Sequence, residues 1–283
     1  MKIAISAEST IDMPKELLEK FDIHTVSFTV IMGDEVYLDG EFENTKIFEY
    51  FDKTKKLPST SAVNEYQYKE HFENLLKTYD AVIHLSLSSG VSSAYRNAQN
   101  VANEMQNVYV IDTLSLSTGI ALLALKTREM IDNNVDVSDI VKYLEENKLK
   151  SKVSLIVNKL NYIVKGGRCS ALACFGANLL SIKPLINVVN GKTKTGKKYI
   201  GSYDSCAEKY CRDIIKSSNN IDKKNIFVSY TTITEKTKET VTQILKENGF
   251  ENIYYTTAGA TISCHTGPLA LGIIFMEKWV WKN

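Results

Sequence analysis

Residues 81–90 read AVIHLSLSSG and residues 108–119 read VYVIDTLSLSTG. Each stretch runs from branched and aromatic residues into a hydroxyl-rich turn and then opens a helical period, the pattern of a strand, a turn and a helix. Leu85–Gly90 and Leu114–Gly119 are nearly the same six residues, 29 positions apart. Two such units in succession predict parallel strands joined by helical crossovers. In an open sheet of that kind the loops after the carboxyl ends of the strands form the ligand crevice, and helix starts there favour an anion. Hydroxyls and backbone N–H groups aimed at one place point to a small acidic group as the guest.

Outward from this pair, the first half alternates strand and helix. Lys2–Ser6 reads as a strand, and Asp12 two residues before Pro14 reads as the N-cap of a short helix carrying Leu17 and Leu18. His24–Met32 alternates as one strand and turns back at Gly33-Asp34 through Val36-Tyr37. Helical periods cover Thr45–Phe51 and about Glu65–Lys77, separated by the loop Leu57–Ser61, and an amphipathic helix carries Ile140, Val141 and Leu144. Past Lys150 the pattern changes. A strand at Val153–Val157 leads to a tight Gly166-Gly167-Arg168 turn and an apolar helix at Ala171–Leu180. Strands follow around Ile186–Val189 and Tyr199–Ser202, then helices near Ala207–Lys216 and Glu235–Glu247 flank a strand at Ile226–Tyr230. A last strand, Leu271–Met276, comes just after His265-Thr266-Gly267-Pro268. The expected class is α/β in two domains. Residues 1–150 form a Rossmann-like, mostly parallel sheet with helices on both faces that carries the hydroxyl-rich loops. Residues 151–283 form an α/β domain with a mixed or antiparallel sheet that carries the Gly-Gly-Arg turn and the His265 loop.

Composition narrows the function classes. At 283 residues, 44% hydrophobic and 24% charged, the chain affords a sizeable core. Its longest nearly uncharged apolar stretch near the C-terminus, Leu269–Met276, is far shorter than the ~20 residues of a membrane span. The N-terminal strand reaches Glu8 too soon for the apolar core of a signal peptide, so a cytoplasmic location is expected. Five cysteines form an odd set with no C-x-x-C pair, and neither C-x4-C spacing is followed by histidines, which favours reduced structural thiols and no metal. Residues 1–150 hold 15 Lys and Arg against 24 Asp and Glu, a net of −9, whereas residues 151–283 hold 19 against 9, a net of +10. Halves of opposite sign attract across a shared cleft. Nucleic acid is not an expected partner, because no basic run is interleaved with stacking aromatics. The one basic cluster, Lys192–Lys198 (KTKTGKK), reads as a hairpin turn.

No P-loop, G-x-G-x-x-G or H-E-x-x-H pattern is present. Gly90-Val91-Ser92-Ser93-Ala94 comes close to a nucleophile elbow, and Ser92, Asp112 and His265 follow the Ser, Asp, His order of a hydrolase. Ala94 stands where the elbow requires glycine, and Asp112 reads better as a turn cap. Ser92 or Ser93 also fits a helix N-cap, Thr60 and Ser61 fit turn residues, His265 fits a turn histidine, and Arg168 fits a partner for a carboxylate of the acidic half.

Taken together these stretches resemble the DegV family. From Glu8 the chain reads ESTIDMP against D-S-T-x-D-L-P; Pro58-Ser59-Thr60-Ser61 is similar to P-x-T-S-Q-P; Leu87–Tyr95 is similar to L-S-S-x-L-S-G-T-Y. Val110–Thr113 resembles V-I-D-S, Gly166–Arg168 the G-G-R element, and His265–Pro268 the H-x-G-P-G element. The resemblance spans essentially the whole chain in the right order. Ala62-Val63 departs from Gln-Pro, Ser93-Ala94 from Gly-Thr, and Leu269 from the second glycine of the histidine element, where its bulk is expected to narrow the head-group entrance.

The resemblance implies a two-domain α/β lipid-binding protein without catalytic residues, metal or cofactor. It would hold one long-chain fatty acid in a tunnel between or beside the domains. A separate fatty acid kinase would phosphorylate the carboxylate, in the service of phospholipid synthesis, and transient contact with a membrane surface would be compatible with that role. The resemblance further implies that Thr60 and Ser92 hydrogen-bond the carboxylate, with Ser61, Ser93, Arg168, His265 and Thr266 in the head-group neighbourhood. His265 is expected to change protonation near neutral pH. Phe28, Ile31, Phe175, Leu179 and Phe275 are apolar residues that fit either a tunnel wall or ordinary core. Two other readings stay open: a Ser/His hydrolase of a small ester or acyl substrate, and a binder of another small acid such as a sugar phosphate, which calls for a shorter, wetter and more basic pocket.

Overall fold

The computed structural model, which describes residues 1–169 and 182–278, begins with a strand whose six residues are all buried, β1 (Ile3–Glu8). There follow α1 (Lys15–Lys20), β2 (Ile23–Val26), β3 (Thr29–Met32), β4 (Glu35–Leu38), α2 (Thr45–Thr54), β5 (Ser59–Ser61) and α3 (Glu65–Leu76). Then come β6 (Ala81–Ser86), α4 (Ala94–Ala102), β7 (Val108–Asp112), α5 (Thr118–Asp132) and α6 (Val137–Asn147). Four of these strands form a parallel sheet in the order β2-β1-β6-β7. Complete burial of β1 and β6 is what a parallel sheet covered on both faces requires. Winding reverses between β1 and β6, so the crevice opens beyond Glu8 and Ser86, where the first serine-rich turn begins.

The stretch His24–Met32 is two strands in two sheets. β2 pairs with β1, whereas β3 joins an antiparallel sheet ordered β4-β3-β5. The break falls at Phe28, whose N–H donates to Ser9 Oγ at 3.1 Å and whose carbonyl accepts the Asp39 N–H at 2.8 Å. Asp12 is not a helix cap. It sits in the left-handed region at φ 55°, and α1 starts after Pro14 without a side-chain cap.

Beyond residue 150 the elements are β8 (Ser151–Ile156), α7 (Leu160–Lys165), β9 (Ile182–Val189), β10 (Lys192–Ile200), α8 (Tyr203–Lys216), β11 (Ile221–Tyr230), α9 (Glu235–Glu247), β12 (Asn252–Thr257), α10 (Ala260–Thr266) and β13 (Leu271–Glu277). Six strands form one mixed sheet in the order β10-β9-β8-β13-β11-β12, antiparallel except for β11 with β12. The helix expected at 171–180 lies outside the described residues. The KTKTGKK cluster is strand, not turn: Gly196 falls in an irregularity of β10 between Thr195 and Lys198, and the chain reverses earlier, at Asn190-Gly191 with φ values of 50° and 77°.

One helix joins the two large sheets. α5 buries nine of its 15 residues and packs against β1 and β6 on one side and β8, β11 and β13 on the other. A helix apolar nearly all round is stable only when enclosed in this way. A second core lies where α8 and α9 cover the mixed sheet, built on residues such as Tyr210, Ile226, Val241 and Leu245. Cys169, Cys206, Cys211 and Cys264 are buried free thiols, and burial pushes Cys211 and Cys264 up to about 12. Among the described residues no helix is long and apolar enough to cross a membrane, and no three metal-ligating side chains converge.

Candidate functional site

The two serine-rich turns hold each other. Ser88 N–H donates to the Ser115 carbonyl at 3.0 Å, and Thr113 Oγ1 donates to the Ser86 carbonyl at 2.7 Å. The first turn also locks onto the β9–β10 reversal, where Ser88 Oγ donates to the Gly191 carbonyl at 2.7 Å. Backbone approaches backbone so closely that a Cβ on Gly90 would lie 2.4 Å from that same oxygen, so only glycine fits there. This pins Ser92, just ahead of α4, over the mixed sheet. Ser92 Oγ accepts the Ala94 N–H at 3.2 Å, which leaves its own O–H to give. Ser93 occupies the N-cap position of α4 without a side-chain bond.

From the other side, α10 brings His265 to Thr60 on β5, with His265 Nε2 and Thr60 Oγ1 3.0 Å apart. α10 is held at its start by two acids of the first half. Asp12 accepts the Gly259 N–H and Asp39 the Ala260 N–H, each at 2.8 Å, while Asn44 Nδ2 donates to the Thr231 and Ala258 carbonyls at 3.1 and 3.0 Å. The acidic half thus meets the basic half through backbone N–H groups more than through lysines; Lys224 with Glu129, at 3.3 Å, is an ion pair that spans them. The Asp12 and Asp39 carboxylates leave so little room at Gly259 that a Cβ there would lie 3.0 Å from an oxygen of each.

Between these anchors runs a cavity with about 910 Å3 of atom-free space, its mouth included; a water-sized sphere can centre itself in only about 100 Å3 of it, so the void is narrow. Its walls are apolar residues such as Phe28, Leu87, Leu116, Val153, Ile186 and Ile274. Thr60, Ser92, Arg168, His265 and Thr266 line the same cavity, so five of the seven residues named from the sequence come together. Ser61 and Ser93 are exposed and do not line it. Of the apolar residues considered, Phe28 is in the wall, Ile31 and Phe275 are not, and Phe175 and Leu179 lie outside the described residues. Leu269 adopts φ 56°, donates its N–H to Thr232 Oγ1 at 2.9 Å and is not among the residues that line the cavity. Sequence reading missed Ser117, Ser229 and Thr261, all in the lining. Ser117 belongs to the second hydroxyl-rich turn, a signal that could have found it; Ser229 on β11 and Thr261 on α10 carry none, because periodicity marks the faces of a strand or helix without saying which one meets a void.

Burial pushes His265 down to about 4, and the Arg168 charge adds to the push. At pH 7 the ring is neutral, not titrating as expected from its type. A neutral imidazole has one N–H. With that hydrogen on Nε2, His265 donates to Thr60 and frees the Thr60 O–H for a ligand. Arg168 is exposed at the mouth and donates from Nη1 to the Gly166 carbonyl at 2.8 Å. Gly166 is needed beside the imidazole, because a Cβ would lie 2.6 Å from His265 Nδ1.

The Ser, Asp, His trio is not assembled. Asp112 Oδ1 accepts the N–H groups of Ser89 and Leu114 at 3.2 and 3.1 Å, and His265 faces Thr60. Among the described residues no hydrogen bond joins Ser92 to His265, so the geometry that activates a serine is missing.

Comparison with known proteins agrees with this architecture. Residues 2–278 match the family described as "Uncharacterised protein, DegV family". Protein DegV of Bacillus subtilis is 30% identical over 98% of this chain and 100% of its own length. A Thermotoga maritima protein named "Fatty acid-binding protein" is 29% identical over 98% of this chain and 99% of its own length. The solved structure described as DegV, a fatty acid binding protein from Bacillus subtilis, superposes with a TM-score of 0.84 at 27% identity, covering 98% of this chain and 100% of that one. On this match over nearly its whole length, and on a shared fold, the chain belongs to the DegV family.

Proposed function

We propose that this protein is a carrier that binds one long-chain fatty acid, with the carboxylate held by the hydroxyls of Thr60 and Ser92 and the acyl chain in the cavity along α10. The observation that carries the reading is the make-up of that cavity: a narrow, mainly apolar slot whose lining includes Thr60 and Ser92 with hydroxyls to give, His265 bonded to Thr60, and Arg168. Hydroxyl donors hold a carboxylate in charge-assisted bonds without a metal. His265 sets the Thr60 hydroxyl, and Arg168 flanks the carboxylate from the mouth. Burying methylenes contributes about 0.8 kcal/mol each, enough for an acyl chain to stay bound through purification. Relatives of this chain named for fatty acid binding support the same ligand.

A sugar phosphate would meet aliphatic walls with a single permanently charged cation among the described lining residues, Arg168, which disfavours a small polar acid. The exposed mouth at Arg168 leaves the carboxylate accessible to a second protein. We assign the phosphorylation of that carboxylate to a separate fatty acid kinase in the cytoplasm, with this chain as a non-enzymatic carrier made of two lobes that divide near residue 150.

Native mass spectrometry of the freshly purified protein, followed by organic extraction, tests the reading. A stoichiometric long-chain fatty acid is expected. A ligand-free mass that stays unshifted when oleate or palmitate is added would overturn it.

A further inference from the structure

α10 carries two threonines into the cavity, and they differ. Thr266 Oγ1 donates to the Ile262 carbonyl four residues earlier, at 2.9 Å, the usual way a helical threonine satisfies itself. Thr261 has no such recourse, because the residue four positions earlier, Thr257, belongs to β12 and precedes the helix. Its hydroxyl is buried, at 4% exposure, and has no hydrogen-bond partner. Of the buried side-chain atoms without a partner among the described residues, only Thr261 Oγ1 and His265 Nδ1 belong to residues that line this cavity. A second hydroxyl pair lines it too: Ser117 Oγ donates to Asp12 at 2.5 Å and lies 3.3 Å from Ser229 Oγ.

A plain acyl chain would press methylenes against the Thr261 hydroxyl and leave it unpaired, which costs binding free energy. A hydroxyl on the ligand would accept from Thr261 and have its own hydrogen to give. Thr261 and His265 are four residues apart, on the same face of α10 and one turn from each other. One turn is about 5.4 Å, so a ligand hydroxyl that reaches Thr261 while the carboxylate lies at His265 belongs to one of the first carbons after the carboxyl.

Resting on the fatty-acid reading above, we propose that Thr261 is a specificity-determining residue and that the preferred ligand is a long-chain fatty acid bearing a hydroxyl close to its carboxyl end, a 3-hydroxy acid. The test is a titration with a matched set of one chain length: palmitate, 3-hydroxypalmitate and 16-hydroxypalmitate. The wild-type protein should bind the 3-hydroxy acid about tenfold more tightly than palmitate, and the 16-hydroxy acid no better than palmitate. Thr261→Val, which keeps the shape, should abolish the preference, tightening palmitate and weakening the 3-hydroxy acid until the two bind alike. Thr261→Ser should keep the preference. Equal or weaker binding of the 3-hydroxy acid by the wild-type protein would overturn the inference and leave the carrier reading standing. Failure of all three acids to bind would remove the carrier reading, and this inference with it.

Discussion

Two polar clusters lie within the crevice region, and only one of them has anything left to give. At the carboxyl ends of β1 and β6, Glu8 is fully buried and accepts from Tyr68 Oη at 2.6 Å, Ser86 Oγ at 2.7 Å and the Leu87 N–H at 2.8 Å, with His84 Nε2 3.1 Å away. His84 Nδ1 continues through Ser6 Oγ to His71 Nε2. Burial alone would raise Glu8; the His84 charge and the hydrogen bonds from His84, Tyr68 and Ser86 outweigh it and hold the carboxyl below its ordinary value. None of these groups except Leu87 touches the cavity. Among the lining residues, by contrast, Thr60 and Ser92 keep their O–H groups in reserve and His265 Nδ1 has no partner. A saturated cluster is scaffold, and an unsaturated one is a place to bind. Position at the switch point of a parallel sheet does not separate the two; the hydrogen-bond ledger does.

The comparison breaks first at Glu8. Replacing it with alanine strands four buried partners, and breaking a buried charged network costs about 3–5 kcal/mol. Urea unfolding should show that loss, while the folded fraction still takes up fatty acid in a one-to-one ratio. Ser92→Ala should do the reverse. Loss of one hydrogen bond to a charged group weakens binding by about 1.5–3 kcal/mol, roughly 10- to 150-fold, and unfolding should move by under ~1 kcal/mol. Equal effects of the two substitutions on stability would erase the distinction.

Asp12 sharpens the contrast, because it belongs to the scaffold yet reaches the cavity through Ser117. Burial raises it to about 8, against the hydrogen bonds from Ser117 and Gly259 and with help from the Asp39 charge. The folded protein therefore binds this proton more tightly than the unfolded chain, so its contribution to stability is lost as pH rises towards and through 8. From pH 7 to 8 stability should fall by about 1 kcal/mol, and Asp12→Asn should flatten that decline. Burial lowers His71 to about 3 and His265 to about 4, so these two act in the opposite sense, costing stability as pH falls below about 6.5. The smallest effect belongs to Lys197→Met. It removes a surface ion pair to Asp213, and stability should change by under ~1 kcal/mol with fatty-acid affinity unaltered.

Legibility followed locality. The parallel sheet was readable because AVIHLSLSSG and VYVIDTLSLSTG carry strand, turn and helix start within a dozen residues, and their loops supply Leu87, Val91, Ser92, Leu116 and Ser117 to the cavity. Asp12 looked like a helix cap because its true partner, the Gly259 N–H, is 247 residues away. Gly196 suggested a turn in KTKTGKK, yet Leu185 and Asn187 of the neighbouring strand crowd it inside β10. Thr60 and His265 were named through motif resemblance, whereas nothing local marks Thr261, whose significance lies in a hydrogen bond it lacks.

The most direct test pairs two readings on one variant. Calorimetric titration of oleate into Thr60→Val/Ser92→Ala, alongside its unfolding curve, should show affinity lost by a hundredfold or more with stability held within ~1 kcal/mol. Oleate bound as tightly as by the wild-type protein would contradict the assignment of these two hydroxyls as the carboxylate site.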